Sequence, residues 1–90
     1  MNERRTQLEI IHDMLKAIHD KGGTIKPTHL LYKSNLSHKR MKEYLDQLME
    51  RKLIDQTEMK EKQFFVLTDA GREFLVNYKR LTEFTDAFGL

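Results

Sequence analysis

Apolar residues recur at three- and four-residue steps near the start of the chain, at Leu8, Ile11, Leu15 and Ile18, with Ile10 and Met14 beside them. That period predicts an amphipathic helix over about residues 7–21. Thr6 and Glu9 have capping-box spacing at its beginning, and Gly22-Gly23 supplies a left-handed stop at its end. Pro27 then opens a short second helix over Thr28 to Lys33, since the N–H that proline lacks is not needed at the first helical position. Leu30 and Leu31 anchor it. After the turn-like Ser34-Asn35, Ser37 is the expected cap of a third helix with a buried stripe of Met41, Tyr44, Leu45 and Leu48. Lys39, Lys42, Glu43 and Asp46 point outward on that reading.

From residue 53 the period changes. Leu53-Ile54 begins an extended stretch, Glu58 to Lys62 form a polar tip, and Phe64 to Leu67 return as an apolar, aromatic-rich strand, which together predict a β-hairpin. The tip lacks the Gly or Asn of a tight turn, so a longer, mobile loop is expected there. Thr68 and Asp69 open a last helix of about Ala70 to Phe88, in which Phe74, Tyr78, Leu81 and Phe88 follow heptad spacing, with Thr85 in the remaining seam position. Gly71, inside its first turn, fits a close backbone approach, with a strand of the hairpin as the candidate neighbour. The predicted order is ααα-ββ-α, a mainly α fold with a small β-hairpin (α+β). A short helix, a tight turn and a capped basic helix form a helix-turn-helix, and the hairpin follows where a wing would sit.

Ninety residues make one domain with a single small core. No run approaches membrane-spanning length, and residues 1–20 are too charged for a signal peptide, so the chain reads as intracellular and soluble. It has no Cys, which excludes disulfides, thiolate zinc sites and cysteine nucleophiles. The net charge of +2 is uninformative, but its distribution is not. No acidic residue occurs between Asp20 and Glu43, whereas Lys21, Lys26, Lys33, Lys39, Arg40 and Lys42 all do, so this segment holds +6 and the remainder −4. Such a block is an electrostatic footprint for phosphate.

The repeated "IHD" at Ile11-His12-Asp13 and Ile18-His19-Asp20 invites a metal-site reading. Two histidines seven residues apart on one helix are separated by about 10.5 Å along its axis, too far to share one ion. A solvated flank of the first helix is the better account, and no metal or cofactor is expected. No paired nucleophile and base and no phosphate-cradling glycine loop is visible, so an enzyme is not expected either.

At two places the residues resemble a known family. "LSHKRMKEYLDQLMERKLI" is similar to the third helix and beginning of the wing of small archaeal winged-helix proteins. "FFVLTDAGREFL" resembles the aromatic-x-Leu-Thr-x-x-Gly signature that closes their wing. In layout the chain resembles the dimeric archaeal chromatin-type proteins of the Sulfolobus 10a kind, in which a winged-helix domain precedes a helix that pairs antiparallel with its partner's. The resemblance implies DNA binding, a two-fold dimer and no enzymatic activity. It divides the chain into residues 1–68, a winged-helix DNA-binding domain, and 69–90, a C-terminal dimerisation helix.

Lys39, Arg40 and Lys42 crowd the first turns of the third helix, where they face the positive end of its macrodipole at a cost of up to about 1 kcal/mol each. Pairing of Lys39 with Glu43 and Lys42 with Asp46 recovers only about 0.2–0.5 kcal/mol per pair. Polyanion is the better explanation, with the N-terminal half of this helix in the major groove. Lys39 and Lys42 then meet base edges or phosphate and Arg40 grips phosphate, while Ser37 caps and His38 lies beside it. Lys26, Tyr32 and Lys33 flank the motif as candidate backbone contacts, Lys60 and Lys62 sit at the wing tip among Glu58 and Glu61, and Arg4 and Arg5 are candidates for a flexible basic arm. Lysine suits positioning more than base reading, so modest specificity is expected. Phe74 and Tyr78 either pack on the first helix of their own chain or join Leu81, Phe84 and Phe88 in a seam between two chains. The expected partners are double-stranded DNA and a second copy, with no membrane and no small-molecule substrate, in the cytoplasm on the nucleoid. The rival reading is a winged helix used as a protein-interaction module without DNA binding.

Overall fold

The computed structural model describes residues 5–90. Four helices and three strands follow in the order α1 (Gln7–Asp20), β1 (Thr24–Ile25), α2 (Pro27–Ser34), α3 (His38–Glu50), β2 (Ile54–Met59), β3 (Lys62–Leu67) and α4 (Asp69–Ala87). The helices and the hairpin are those the periodicity predicts. The additional element is β1, two residues that pair antiparallel with β3 (Thr24 opposite Val66, Ile25 opposite Phe65) and complete a sheet of order β1-β3-β2. So short a strand has no period of its own to betray it.

Local chemistry accounts for the helix boundaries. Thr6 and Glu9 form a full capping box, each side chain accepting from the other's backbone N–H at 3.1 and 2.8 Å. At the other end of α1, Gly22 has φ +86°, and the Gly23 N–H reaches back to the Ile18 carbonyl at 2.9 Å. The buried face of α1 is Ile10, Met14, Leu15 and Ile18, with Ile11 partly covered. Leu8, expected in that stripe, is 47% exposed, because the neighbouring elements settle around Ile10 and Met14 instead. Ile25, Leu30, Leu48, Ile54 and Leu67 meet this face from β1, α2, α3, β2 and β3 to make one core.

The hairpin tip departs from expectation. Met59 pairs with Lys62, so only Lys60 and Glu61 connect the strands, and both have positive φ, 52° and 64°. Positive φ at both central positions is the type I′ pattern, which matches the twist of the flanking strands where the commoner turns would splay them. Sheet geometry thus imposes a tight turn on two residues that do not favour it, in place of the expected longer loop.

Thr68 knits the last helix to the sheet. Its hydroxyl accepts from the Gly71 N–H at 3.0 Å as the cap of α4 and faces the Lys52 and Leu53 carbonyl oxygens at 2.7 and 2.9 Å. Gly71 is buried against the Leu53 carbonyl and the Leu67 side chain, the close approach anticipated for it. The first half of α4 therefore lies on its own chain: Phe74 and Leu75 pack against the core, and Tyr78 stacks on His12 at 4.1 Å between ring centres. No described helix is long and apolar enough to cross a membrane.

Candidate nucleic-acid interface

The turn between α2 and α3 is built from three adjacent residues. Asn35 takes the left-handed conformation (φ 57°, ψ 44°) that ends α2, Leu36 tucks partly under the core, and Ser37 caps α3 by accepting the Arg40 N–H at 3.2 Å. His38, Lys39 and Arg40 are consequently the first three residues of α3, and all three are exposed. No acidic residue lies in that first turn. Met41, Tyr44, Leu45 and Leu48 are buried, which holds the opposite face, with Lys39 and Lys42, outward.

The pairs that might have absorbed this charge are weak. Lys42 reaches Asp46 at 3.6 Å, but both side chains are largely exposed, where such a pair contributes little. Lys39 and Glu43 form no ion pair among the described residues. Arg40 lies back along the helix, its guanidinium 5.8 Å from the centre of the Tyr44 ring and 3.5 Å from the Tyr44 hydroxyl. That arrangement steadies the side chain without neutralising it.

Lys26, at the cap of α2, and Tyr32 and Lys33, on its surface, are exposed, Tyr32 by 80%. Lys60 and Lys62 sit at the tip of the β2–β3 hairpin, where Glu58 and Glu61 bring the local charge to zero. The basic surface is thus continuous in sequence from α2 into α3 but not matched by a cationic wing.

Arg5 has a role that neighbouring residues in the chain could not reveal. Its guanidinium pairs with Asp13 of α1 at 2.9 Å and donates to the Ser34 carbonyl at 2.9 Å and the Asn35 carbonyl at 3.5 Å. It ties the turn before α3 to α1, so Arg5, a candidate for a flexible arm, is a docked strut; Arg4 lies outside the described residues. The two His-Asp pairs of α1 remain local. His12 and His19 contact Asp13 and Asp20 at 3.3 and 3.4 Å, and among the described residues no group of three or more His, Asp or Glu is placed to hold a metal. Asp20 also accepts from Lys16 at 2.8 Å, and that hydrogen bond, reinforced by His19, holds its carboxyl below the usual value.

The fold recurs in solved structures. Sso10a-2, a DNA-binding protein from Sulfolobus solfataricus, superposes with a TM-score of 0.78 at 17% identity, over 93% of this chain and 85% of that one. BpsR of Bordetella bronchiseptica, whose DNA binding is regulated by 6-hydroxynicotinic acid, gives 0.69 at 19% identity over 89% of this chain and 60% of its own. A winged-helix DNA-binding protein from STIV gives 0.70 at 14% identity, over 89% of this chain and 92% of that one. At such identities the likeness establishes the fold. No curated protein matches by sequence. The winged helix-turn-helix profile, however, matches residues 4–86. With the α2–turn–α3 motif, the hairpin and that near-complete match in agreement, the chain belongs to the winged helix-turn-helix family.

Proposed function

We propose that this protein binds double-stranded DNA as a homodimer, with the N-terminal half of α3 in the major groove, and serves on the nucleoid as a transcriptional regulator or chromatin-organising protein. The observation that carries the reading is the exposed trio Lys39, Arg40 and Lys42 at the positive end of α3, with no acidic residue in the first turn to offset it. Phosphate supplies the charge that the fold withholds. Lys26, Tyr32 and Lys33 extend this surface across α2, and Ser37 and His38 stand at its edge. The similar folds of proteins named for DNA binding support the same reading. Residues 1–68 form the DNA-binding unit, and residues 69–90 join two copies through the exposed Leu81, Phe84 and Phe88 beyond Phe74 and Tyr78. No cofactor, metal or catalytic step is needed.

Duplex titrations at two salt concentrations test it. Several phosphates neutralised per protomer should give a log-log salt slope of roughly −3 to −5. Lys39→Ala with Lys42→Ala should weaken binding to every duplex and flatten that slope by about 2, with the thermal midpoint equal to the parent's or above it, since two cations leave the positive end of the helix. Salt-independent binding, or a double variant that titrates like the parent, removes α3 from the interface. The charge-neutral hairpin tip favours a second reading, in which the same fold docks on a protein; absence of any retarded duplex in dilute buffer would select it.

A further inference from the structure

The same triplet occurs twice on α1, as Ile11-His12-Asp13 and Ile18-His19-Asp20, seven residues apart and therefore on nearly the same face. In each, the histidine contacts the aspartate beside it, at 3.3 and 3.4 Å. Their surroundings differ. His19 and Asp20 are both more than half exposed, and Asp20 reaches Lys16 of the same helix. His12 and Asp13 are held instead by two distant parts of the chain.

On one side Tyr78 of α4 stacks on the His12 ring, with centres 4.1 Å apart and planes within 18°. A carboxylate can only accept, so the contact to Asp13 Oδ1 is made by the Nδ1–H of His12. On the other side Asp13 Oδ2 holds Arg5 Nη1 at 2.9 Å, and Arg5 Nη2 donates to the Ser34 carbonyl at 2.9 Å and the Asn35 carbonyl at 3.5 Å. These carbonyls close α2, where the helix has no further N–H to offer them. Ser34 is fully buried, so water cannot serve its carbonyl, and a guanidinium there both satisfies it and faces the negative end of α2. Arginine suits the place because its planar fork binds a carboxylate and a carbonyl at once, and the Arg5 side chain is only 18% exposed. Three residues beyond Ser34, Ser37 caps α3, so whatever fixes that carbonyl also fixes the start of the helix that carries Lys39 and Lys42.

We infer that His12 and Asp13 are positioning residues in a relay from Tyr78 through His12, Asp13 and Arg5 to the Ser34 and Asn35 carbonyls, by which the seating of α4 sets the turn before α3. The relay rests on the DNA-binding function proposed above and adds how the DNA-facing helix is aimed. None of its side chains has to touch DNA. Its signature is an effect opposite to that of charge: removing an acidic group from a protein that binds a polyanion should tighten binding by long-range attraction, whereas loosening the turn should weaken it.

Asp13→Asn keeps the shape of the side chain and removes the charge that holds Arg5. In duplex titrations on the full chain it should raise Kd about three- to tenfold, with an unchanged salt slope because the number of phosphate contacts is the same. Asp20→Asn, the matched change in the second triplet, should leave Kd at the parent's value or below it. Nitrogen–proton correlation NMR reads the relay without DNA: Asp13→Asn and Tyr78→Leu should each shift the amide resonances of residues 35–37, and Asp20→Asn should not. Circular dichroism confirms each fold; were Asp13→Asn not to fold, Arg5→Lys, which keeps the net charge and loses the fork, is judged by the same rise in Kd. A folded Asp13→Asn protein that binds as tightly as the parent, or more tightly, overturns the positioning role, and turn amides unmoved by Tyr78→Leu overturn the link to α4. A parent that retards no duplex overturns the DNA-binding function instead, while the amide shifts still decide whether the relay exists.

Discussion

Gly71→Ala is the most demanding test of how α4 is docked. In an open helix the change would stabilise by about 1 kcal/mol, since glycine is the poorer helix former. Here the new Cβ would sit 2.6 Å from Leu67 Cδ1 and closer still to the Leu53 carbonyl oxygen. Neither neighbour can yield cheaply. Leu67 is buried in the core, and the Leu53 carbonyl accepts the Thr68 N–H at 3.2 Å and faces its hydroxyl at 2.9 Å. Overpacking costs about 1–3 kcal/mol, and displacing α4 loses hydrogen bonds of about 1 kcal/mol each. Against the propensity gain, the net loss is about 2–3 kcal/mol, which for a domain of this size lowers the thermal midpoint by on the order of 10–20 °C. Thermal and urea denaturation followed by circular dichroism, at one protein concentration because association stabilises the folded state, would measure it. The exposed neighbour provides the control: Ala70→Gly should cost only about 1 kcal/mol. A Gly71→Ala protein as stable as the parent, or more so, would refute the close approach and with it the placement of α4.

Three further outcomes follow from single contacts. Lys60→Asn with Glu61→Gly should stabilise the protein by about 1–2 kcal/mol, because left-handed backbone is strained at Lys and Glu and natural at the replacements; a fall in urea midpoint would rule out the tight turn. Arg5→Ala should lower stability by about 1–3 kcal/mol through the buried side of its contacts with Asp13 and the Ser34 carbonyl, and a thermal midpoint equal to the parent's would show that the strut is not formed. Carboxyl titration by NMR should find Asp20 below its ordinary value of 3.8, returning toward it in Lys16→Met. Its contribution to stability is accordingly present above that ordinary value, is lost as pH falls through the lower folded one, and weakens with added salt at so exposed a site.

The placement of charge has a bearing on how the protein would select DNA. Arg40, the one arginine at the start of α3, is laid against Tyr44, while the outward positions are lysines. Lysine donates as a point charge and discriminates bases less well than the planar fork of arginine. Affinity dominated by backbone contacts, with shallow sequence preference, is the expected behaviour.

What this chain's sequence determines by itself is what neighbouring residues can record. The periods of α1 and α3, the Thr6–Glu9 box, the Gly22-Gly23 stop, Pro27 at the head of α2 and Ser37 at the head of α3 all act within four residues or so, and each is legible without knowing the fold. The basic trio on α3 is legible for the same reason, since a cap and a buried stripe suffice to place it outward. Tertiary structure decides whatever depends on a distant partner. Two residues become β1 only because β3, some forty positions later, offers them an edge. Lys60 and Glu61 turn left-handed because the sheet's twist outweighs their own preference. Arg5 becomes a strut by meeting carbonyls about thirty residues away. On α4 the heptad pattern shows an apolar surface but not its division: packing on His12 and the core turns Tyr78 inward and leaves Phe84 outward, because a helix can bury against its own domain only the face that reaches it.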